Sequence, residues 1–195
     1  MQRPMPSATR TTDILIVGGG SAGWMAAAFL RRRTDRRVTL VESPGIPGVG
    51  VGEATIPALL DFVRGMELDE GAFMRVCHAS YKLGIEFRGW TREGHRYFHP
   101  FGLCGGTIDG LDLFHFWAKS VRSGASELAY SDYSLQALLA SQGRGHRPID
   151  GPPRVENYAY HLDAGAFAAL LQKIAVAEGV VHLRDDVVDV AVDSR

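Results

Sequence analysis

The chain has 195 residues, 46% hydrophobic and 22% charged, and its 21 Lys plus Arg against 22 Asp plus Glu give a formal net charge of −1. This composition excludes disorder as the dominant state, and the balanced charge excludes a bulk electrostatic binder of nucleic acid or anionic membrane. Glycine is over-represented at 23 residues, against a usual level of roughly 7%, so the backbone must come close to something.

Residues 1–12 read as a loose polar leader, and 13–195 as one folded body. Asp13 to Val17 is a short apolar run rich in β-branched residues, the pattern of a buried strand. A glycine turn, Gly18 to Gly23, precedes an apolar stretch, Trp24 to Arg33, expected to be helical. Arg37 to Val41 reads as a second buried strand, completing a βαβ unit with a parallel sheet. Ser43 to Pro57 is a long loop with Gly45, Gly48, Gly50 and Gly52. Helices are expected over Ala58 to Gly65 and within Leu68 to Ser80, and a strand over Lys82 to Trp90. Two further helices follow, Gly110 to Ser123 and Asp132 to Ser141, the second with Asp132 as N-cap. Pro148 to Pro153 reads as a loop. Asp163 to Glu178 is a helix with Asp163 at the N-cap and Gly179 just past its end. Val180 to Leu183 reads as a strand. The alternation of Val188, Val190 and Val192 with Asp189, Ala191 and Asp193 predicts a half-buried antiparallel strand over Asp186 to Asp193.

The two cysteines, Cys77 and Cys104, form no CxxC, so neither a disulfide framework nor a zinc site is indicated, and a reducing cytoplasm fits. Cys77 reads as a buried small hydrophobe. No signal peptide or membrane span is apparent. His95 and His99 have the spacing of a zinc pair on a helix, but the residues between them read as loop or strand, and no metal site is expected. The cluster Arg31, Arg32, Arg33, Arg36, Arg37 reads as the cationic end of a helix. His182, beside Asp185 and Asp186, reads as part of a solvated turn.

Gly18, Gly20 and Gly23 make a G-x-G-x-x-G between a predicted strand and a predicted helix, the context that gives the pattern meaning. Gly18 permits the tight turn, Gly20 leaves room for a pyrophosphate, and Gly23 lets helix and strand pack closely. The helix N-terminus presents N–H groups to the phosphates. Glu42, at the end of the second strand, can accept hydrogen bonds from a ribose diol and would repel a 2′-phosphate. This favours FAD or NAD over NADP without separating the two. The second glycine loop, Gly48 to Pro57, is a backbone-rich surface suited to a flat ligand.

GGGSAGWMAA at Gly18 to Ala27, GVGEATIP at Gly50 to Pro57, ASYKLGIEF at Ala79 to Phe87 and the stretch Tyr160 to Val180 together resemble the flavin-dependent tryptophan halogenase family. The resemblance runs from about Asp13 to the last residue. It implies an α/β, Rossmann-type FAD-binding fold of the two-dinucleotide-binding kind, truncated and with a helical insertion. It also implies halogenation of an aromatic substrate, tryptophan or an indole. Such enzymes take reduced FAD from a separate flavin reductase, use oxygen with chloride or bromide to make hypohalous acid, and pass it to a lysine. The lysine either forms a haloamine or donates a hydrogen bond to the oxidant. Lys82 is the matching position; without the motif it reads as an exposed lysine at a strand start. Gly18, Gly20, Ala22 and Gly23 would meet the pyrophosphate, Glu42 the adenosine ribose, and Ile46, Val51 and Ala54 the flavin strap. Gly19, Ser21, Ser43, Gly52 and Glu53 complete the cofactor-binding set. His99 and Phe101 match a segment that packs against the substrate's ring.

The tryptophans Trp24, Trp90 and Trp117 form no W-x-W-x-I-P, the family's second hallmark. The glutamate that works with the lysine and the later flavin- and halide-binding segment find no match. The expectation is therefore an incomplete N-terminal portion that cannot halogenate alone, with the missing C-terminal half among its candidate partners. A related FAD-dependent monooxygenase or oxidoreductase, and a non-catalytic flavin-binding remnant needing a partner chain, are the alternatives. No nucleic-acid or membrane partner is expected, and the cytoplasm is the expected location.

Overall fold

The computed structural model describes residues 13–46, 48, 52–146 and 157–191. The leader, the 148–153 loop and Val51 lie outside them. In chain order the elements are β1 (Asp13–Val17), α1 (Ser21–Arg33), β2 (Arg37–Glu42), β3 (Gly52–Ala54), α2 (Ala58–Gly65), α3 (Glu70–Val76), β4 (Ser80–Lys82) and β5 (Gly84–Arg88). Then come β6 (Arg96–Pro100), β7 (Thr107–Ile108), β8 (Leu111–Asp112), α4 (Leu113–Arg122), a 3₁₀ turn (Tyr130–Tyr133), α5 (Leu135–Ser141), β9 (Ala159–Asp163), α6 (Ala164–Ala177) and β10 (Val181–Arg184). They form two compact units. One holds the chain up to Gly52, Val76–His78 and everything from Asp163 onward; the other holds Glu53–Arg75 and Ala79–Leu162. Among the described residues no helix is long and apolar enough to cross a membrane.

In the first unit β2 lies between β1 and β10, and both pairings are parallel, as the βαβ pattern requires. Ile16, Leu40 and His182 lie side by side on one face; Leu15, Thr39 and Val181 lie on the other. The first face is covered: Val38 and Leu40 are fully buried. Above it α1 and α6 pack together through small residues, with Ala27, Ala28 and Ala175 at 0% exposure beside Trp24 and Leu171. Each large apolar side chain buried here contributes on the order of 1.5–3 kcal/mol. The arginines in the last turn of α1 reach the end of α6. Arg31 Nε donates to the Glu178 carbonyl at 2.7 Å, and Arg32 pairs with the Glu178 carboxylate. On the opposite face Leu15, Val17, Val181 and Leu183 remain 64, 57, 41 and 47% exposed.

The capping expectation for α6 is met. The Asp163 carboxylate accepts from the Ala166 amide at 2.9 Å, and Gly179 takes the left-handed conformation at φ +95°. The terminal strand is not: Asp186 to Ala191 carries no strand and is exposed. Its alternation finds no partner strand among the described residues, and an unpaired strand does not hold its shape. The helix after the glycine turn begins at Ser21, three residues before the apolar run, because the turn itself supplies its first residues.

In the second unit β9 lies between β3 and β4. β5 and β6 form an antiparallel hairpin with Phe87 stacked on Tyr97, and β7 and β8 form a two-rung hairpin. The strand expected from Lys82 to Trp90 is broken at Leu83. Lys82 closes β4, and β5 begins at Gly84, where a side chain would collide with the His99 carbonyl at 2.5 Å. Asp132 does not cap α5. It sits in the 3₁₀ turn, and the cap is Ser134, which accepts from the Ala137 amide. The core includes Tyr160, Phe73, Met66 and Val63, all at or below 2% exposure. The Glu70 carboxylate accepts from the hydroxyls of Tyr158 at 2.7 Å and Tyr160 at 2.9 Å. Burial, and after it that contact, hold both phenols in their protonated form, Tyr158 pushed up to about 12.

Candidate functional site

In the first unit, each glycine of the turn serves a different need. Gly18 has φ +109°, which a residue with a Cβ resists, and its amide donates to the Val41 carbonyl at 2.8 Å. A Cβ on Gly23 would lie 1.9 Å from the Gly18 carbonyl oxygen, so helix and turn can meet only at glycine. A Cβ on Gly20 would meet nothing within 4 Å. Gly20 is the N-cap of α1, and no side chain caps the helix, so its first amides have no capping side-chain acceptor there. A Cβ on Gly19 would fall 1.4 Å from Glu42 Oε2, which places the Glu42 carboxylate across the turn. Glu42 Oε1 lies 2.7 Å from His182 Nε2. His182 is thus a half-buried strand residue tied to Glu42, not part of a solvated turn. Ser21 Oγ donates to the Ala164 carbonyl and Ser43 Oγ accepts from the Gly45 amide, so both hydroxyls have local work. Ala22 and Ile46 are exposed.

In the second unit, Lys82 is 8% exposed, not the exposed lysine that a strand start suggests. Its Nζ donates to the Thr55 carbonyl at 2.8 Å and to the Ala54 carbonyl at 3.3 Å, and lies 5.3 Å from the centre of the Phe101 ring. The ammonium is therefore fixed by the loop that carries Glu53 and Ala54 and by an aromatic face. Burial pulls its pKa below the ordinary lysine value. Lys82 lines a cavity of about 480 Å³ with Tyr81, Phe98, Arg144, Gly145 and His161. His161 is pulled down too, by desolvation and then by the Lys82 charge. The loop is anchored by Thr55, whose amide and hydroxyl donate to the Tyr160 carbonyl and whose Oγ1 accepts from the Tyr160 amide at 3.0 Å.

His99 and Phe101 part company. Phe101 sits at Lys82, whereas His99 is exposed on β6 and lines a separate concavity of about 1430 Å³ with Tyr97, Trp117, Tyr130, Cys104 and Asp112. There Asp112 is held low by the Phe114 amide and the Tyr130 hydroxyl.

Residues 13–195 match the family described as tryptophan halogenase. The chain belongs to the tryptophan halogenase family. It is 35% identical to tryptophan 6-halogenase SttH of Streptomyces toxytricini, over 96% of this chain and 40% of that protein. It is 38% identical to tryptophan 7-halogenase RebH of Lentzea aerocolonigenes, over 93% of this chain and 37% of that protein. Among solved structures, Xcc4156, a flavin-dependent halogenase from Xanthomonas campestris, superposes with a TM-score of 0.83 at 40% identity. That match covers 93% of this chain and 36% of the other. The chain thus spans about two fifths of the length of these relatives, with the Rossmann-type FAD-binding α/β fold expected of a halogenase portion. Of the residues at this candidate site, the sequence does not single out Thr55, and it reads His182 as part of a turn. A lone histidine on a strand and a threonine inside a recognised motif carry no periodic signal of their own.

Proposed function

We propose that this chain supplies the flavin-nucleotide site and the halogen-handling lysine of a flavin-dependent halogenase acting on an aromatic ring, tryptophan or an indole. The observation that carries this reading is the setting of Lys82: nearly buried, gripped by two carbonyls of the GEAT loop, backed by Phe101 and open to a cavity.

The residues of the first unit fit FAD. The space in front of Gly20 would take the pyrophosphate, the uncapped amides of α1 would meet its charge, and Glu42 would meet the ribose. Gly18, Gly19, Ser21, Ala22, Gly23 and Ser43 shape that turn. The family resemblance assigns Ile46, Val51 and Ala54 to the flavin strap, and Gly52 and Glu53 to the cofactor-binding set. When bound, reduced flavin delivered by a flavin reductase would activate oxygen, the oxidant that takes halide to hypohalous acid. Lys82 then acts on hypohalous acid in one of two ways. As an amine it takes the halogen and releases water, after which the aromatic carbon accepts the halogen, loses its proton, and the amine is restored. As an ammonium it donates the N–H not used by Ala54 and Thr55 to the oxidant. Its lowered pKa supports the first, since desolvation disfavours the charged form. Phe101 would border the aromatic substrate. His99 would meet it only from the larger concavity.

The exposed face of Leu15, Val17, Val181 and Leu183 fits a protein partner, and the occupant we propose is polypeptide equivalent to the remaining three fifths of the family's length. The chain is therefore incubated with flavin reductase, NADH, FAD, oxygen, chloride or bromide and tryptophan, with and without that polypeptide from a relative, and products are read by mass spectrometry. Halogenated product is expected only with the second polypeptide, and none with Lys82→Ala. Product from this chain alone overturns the two-part reading; product that survives Lys82→Ala overturns the role of the lysine.

A further inference from the structure

Glu42 does not stand alone at the end of β2. Its Oε1 is 2.7 Å from His182 Nε2, and His182 Nδ1 is 3.2 Å from Gln172 Nε2. An amide nitrogen only donates, so Gln172 requires Nδ1 to be the acceptor and leaves the ring proton on Nε2, pointed at the carboxylate. The ring is also held from the side: Trp24, 1% exposed, meets it edge-on with centroids 5.0 Å apart. The other carboxylate oxygen, Oε2, overhangs Gly19, where no side chain fits. Three elements thus converge on one rotamer of Glu42: α6 through Gln172, β10 through His182 and the turn through Gly19.

We infer that His182, with Gln172 behind it, is the positioning residue for the carboxylate that recognises the vicinal diol of the nucleotide's adenosine ribose. The inference rests on the proposed ribose role of Glu42. A glutamate carboxylate turns freely about its side-chain bonds, and a diol contact needs both its place and its plane fixed. A hydrogen bond to Oε1 from a donor that is itself oriented does this, as partners behind a metal ligand orient the ligand. It also leaves Oε2 free to accept from the diol. The donor in this tautomer is a neutral imidazole, so the pair keeps the full negative charge of the carboxylate against a 2′-phosphate.

The test uses the 195-residue chain and two probes, ADP and 2′-deoxy-ADP, titrated calorimetrically, with melting temperature as the control for folding. Glu42→Ala is expected to abolish the preference for ADP over 2′-deoxy-ADP. His182→Phe keeps a ring against Trp24 and removes the donor. It should weaken ADP binding about tenfold, the size of one charge-assisted hydrogen bond, and leave 2′-deoxy-ADP within twofold. His182→Gln, which restores an N–H, should recover most of the preference. In a Glu42→Ala background His182→Phe should have no further effect. If Glu42→Ala removes the preference while His182→Phe leaves it intact, or weakens both probes equally, the positioning role is overturned and the ribose reading stands. If Glu42→Ala leaves the preference intact, the ribose reading fails and the positioning role with it.

Discussion

Two adjacent glycines in one turn should respond to the same substitution in opposite ways. At Gly20 the backbone is extended, φ −73° and ψ 178°, which alanine adopts freely, and a Cβ meets nothing within 4 Å. Gly20→Ala should therefore change stability by less than about 1 kcal/mol. Its methyl group would nevertheless occupy the space where a pyrophosphate approaches, so FAD affinity should fall at least tenfold. At Gly19 the Cβ would lie 1.4 Å from Glu42 Oε2, 2.3 Å from its Cδ and 2.9 Å from its Cβ. The last distance means that a swing of the carboxylate alone does not clear the clash. The bond to His182 breaks, at roughly 1.5–3 kcal/mol for a charged acceptor, and an off-rotamer side chain adds about 0.5–1.5 kcal/mol. Gly19→Ala should lose about 2–4 kcal/mol by equilibrium denaturation, with FAD affinity falling as well. Both variants are measured by urea unfolding and by FAD fluorescence titration. A Gly20→Ala variant that binds FAD like the parent would refute the placement of the pyrophosphate. A Gly19→Ala variant as stable as the parent would refute the packing of Glu42 across the turn.

Glu70→Ala leaves the hydroxyls of buried Tyr158 and Tyr160 without their acceptor, which should cost roughly 2–4 kcal/mol and lower the melting temperature by about 5–15 °C. Glu70→Gln keeps an acceptor and should lose less; equal losses in calorimetry would count against the network. Cys77 is fully buried and its thiol is pushed up to about 11 by burial and then by Asp163, from an ordinary 9.0. The native state therefore favours the neutral thiol. That contribution is complete below pH 9 and is lost as pH rises toward 11, so denaturation at pH 8 and pH 10.5 should show a larger drop in the parent than in Cys77→Ala. Ser134→Ala should cost about 1 kcal/mol through the lost cap of α5, whereas Asp132→Ala should not unwind that helix.

The first forty residues were legible because their signals are local. A buried run, a glycine fingerprint, an alanine-rich helix and a second buried run each lie within a few residues, and β1 falls at its expected bounds, as does α2 further along. α6 was legible for the same reason, since a cap, a body and a terminal glycine are contiguous. The site was legible at Lys82 only through motif resemblance; spacing alone described an exposed lysine. What sequence could not supply was register. His182 reaches Glu42 because Val181 pairs with Thr39 and His182 with Leu40, across more than 140 residues. β9 escaped notice as five residues leading into a strong helix, and β7 and β8 because two-residue strands carry no periodicity. Asp132 and Ser134 are both good caps two residues apart, and the 3₁₀ turn decides between them.

Thr55 sets a rule for substitution that shape alone would misjudge. Its hydroxyl serves as an additional rung, accepting from the amide of Tyr160 and donating to that residue's carbonyl, while its own carbonyl receives the lysine. Valine matches threonine in outline, yet it would leave a donor in the interior facing a methyl group. Serine is smaller, yet it keeps the rung. In a library randomised at this codon, serine should survive selection for folded protein and valine should not.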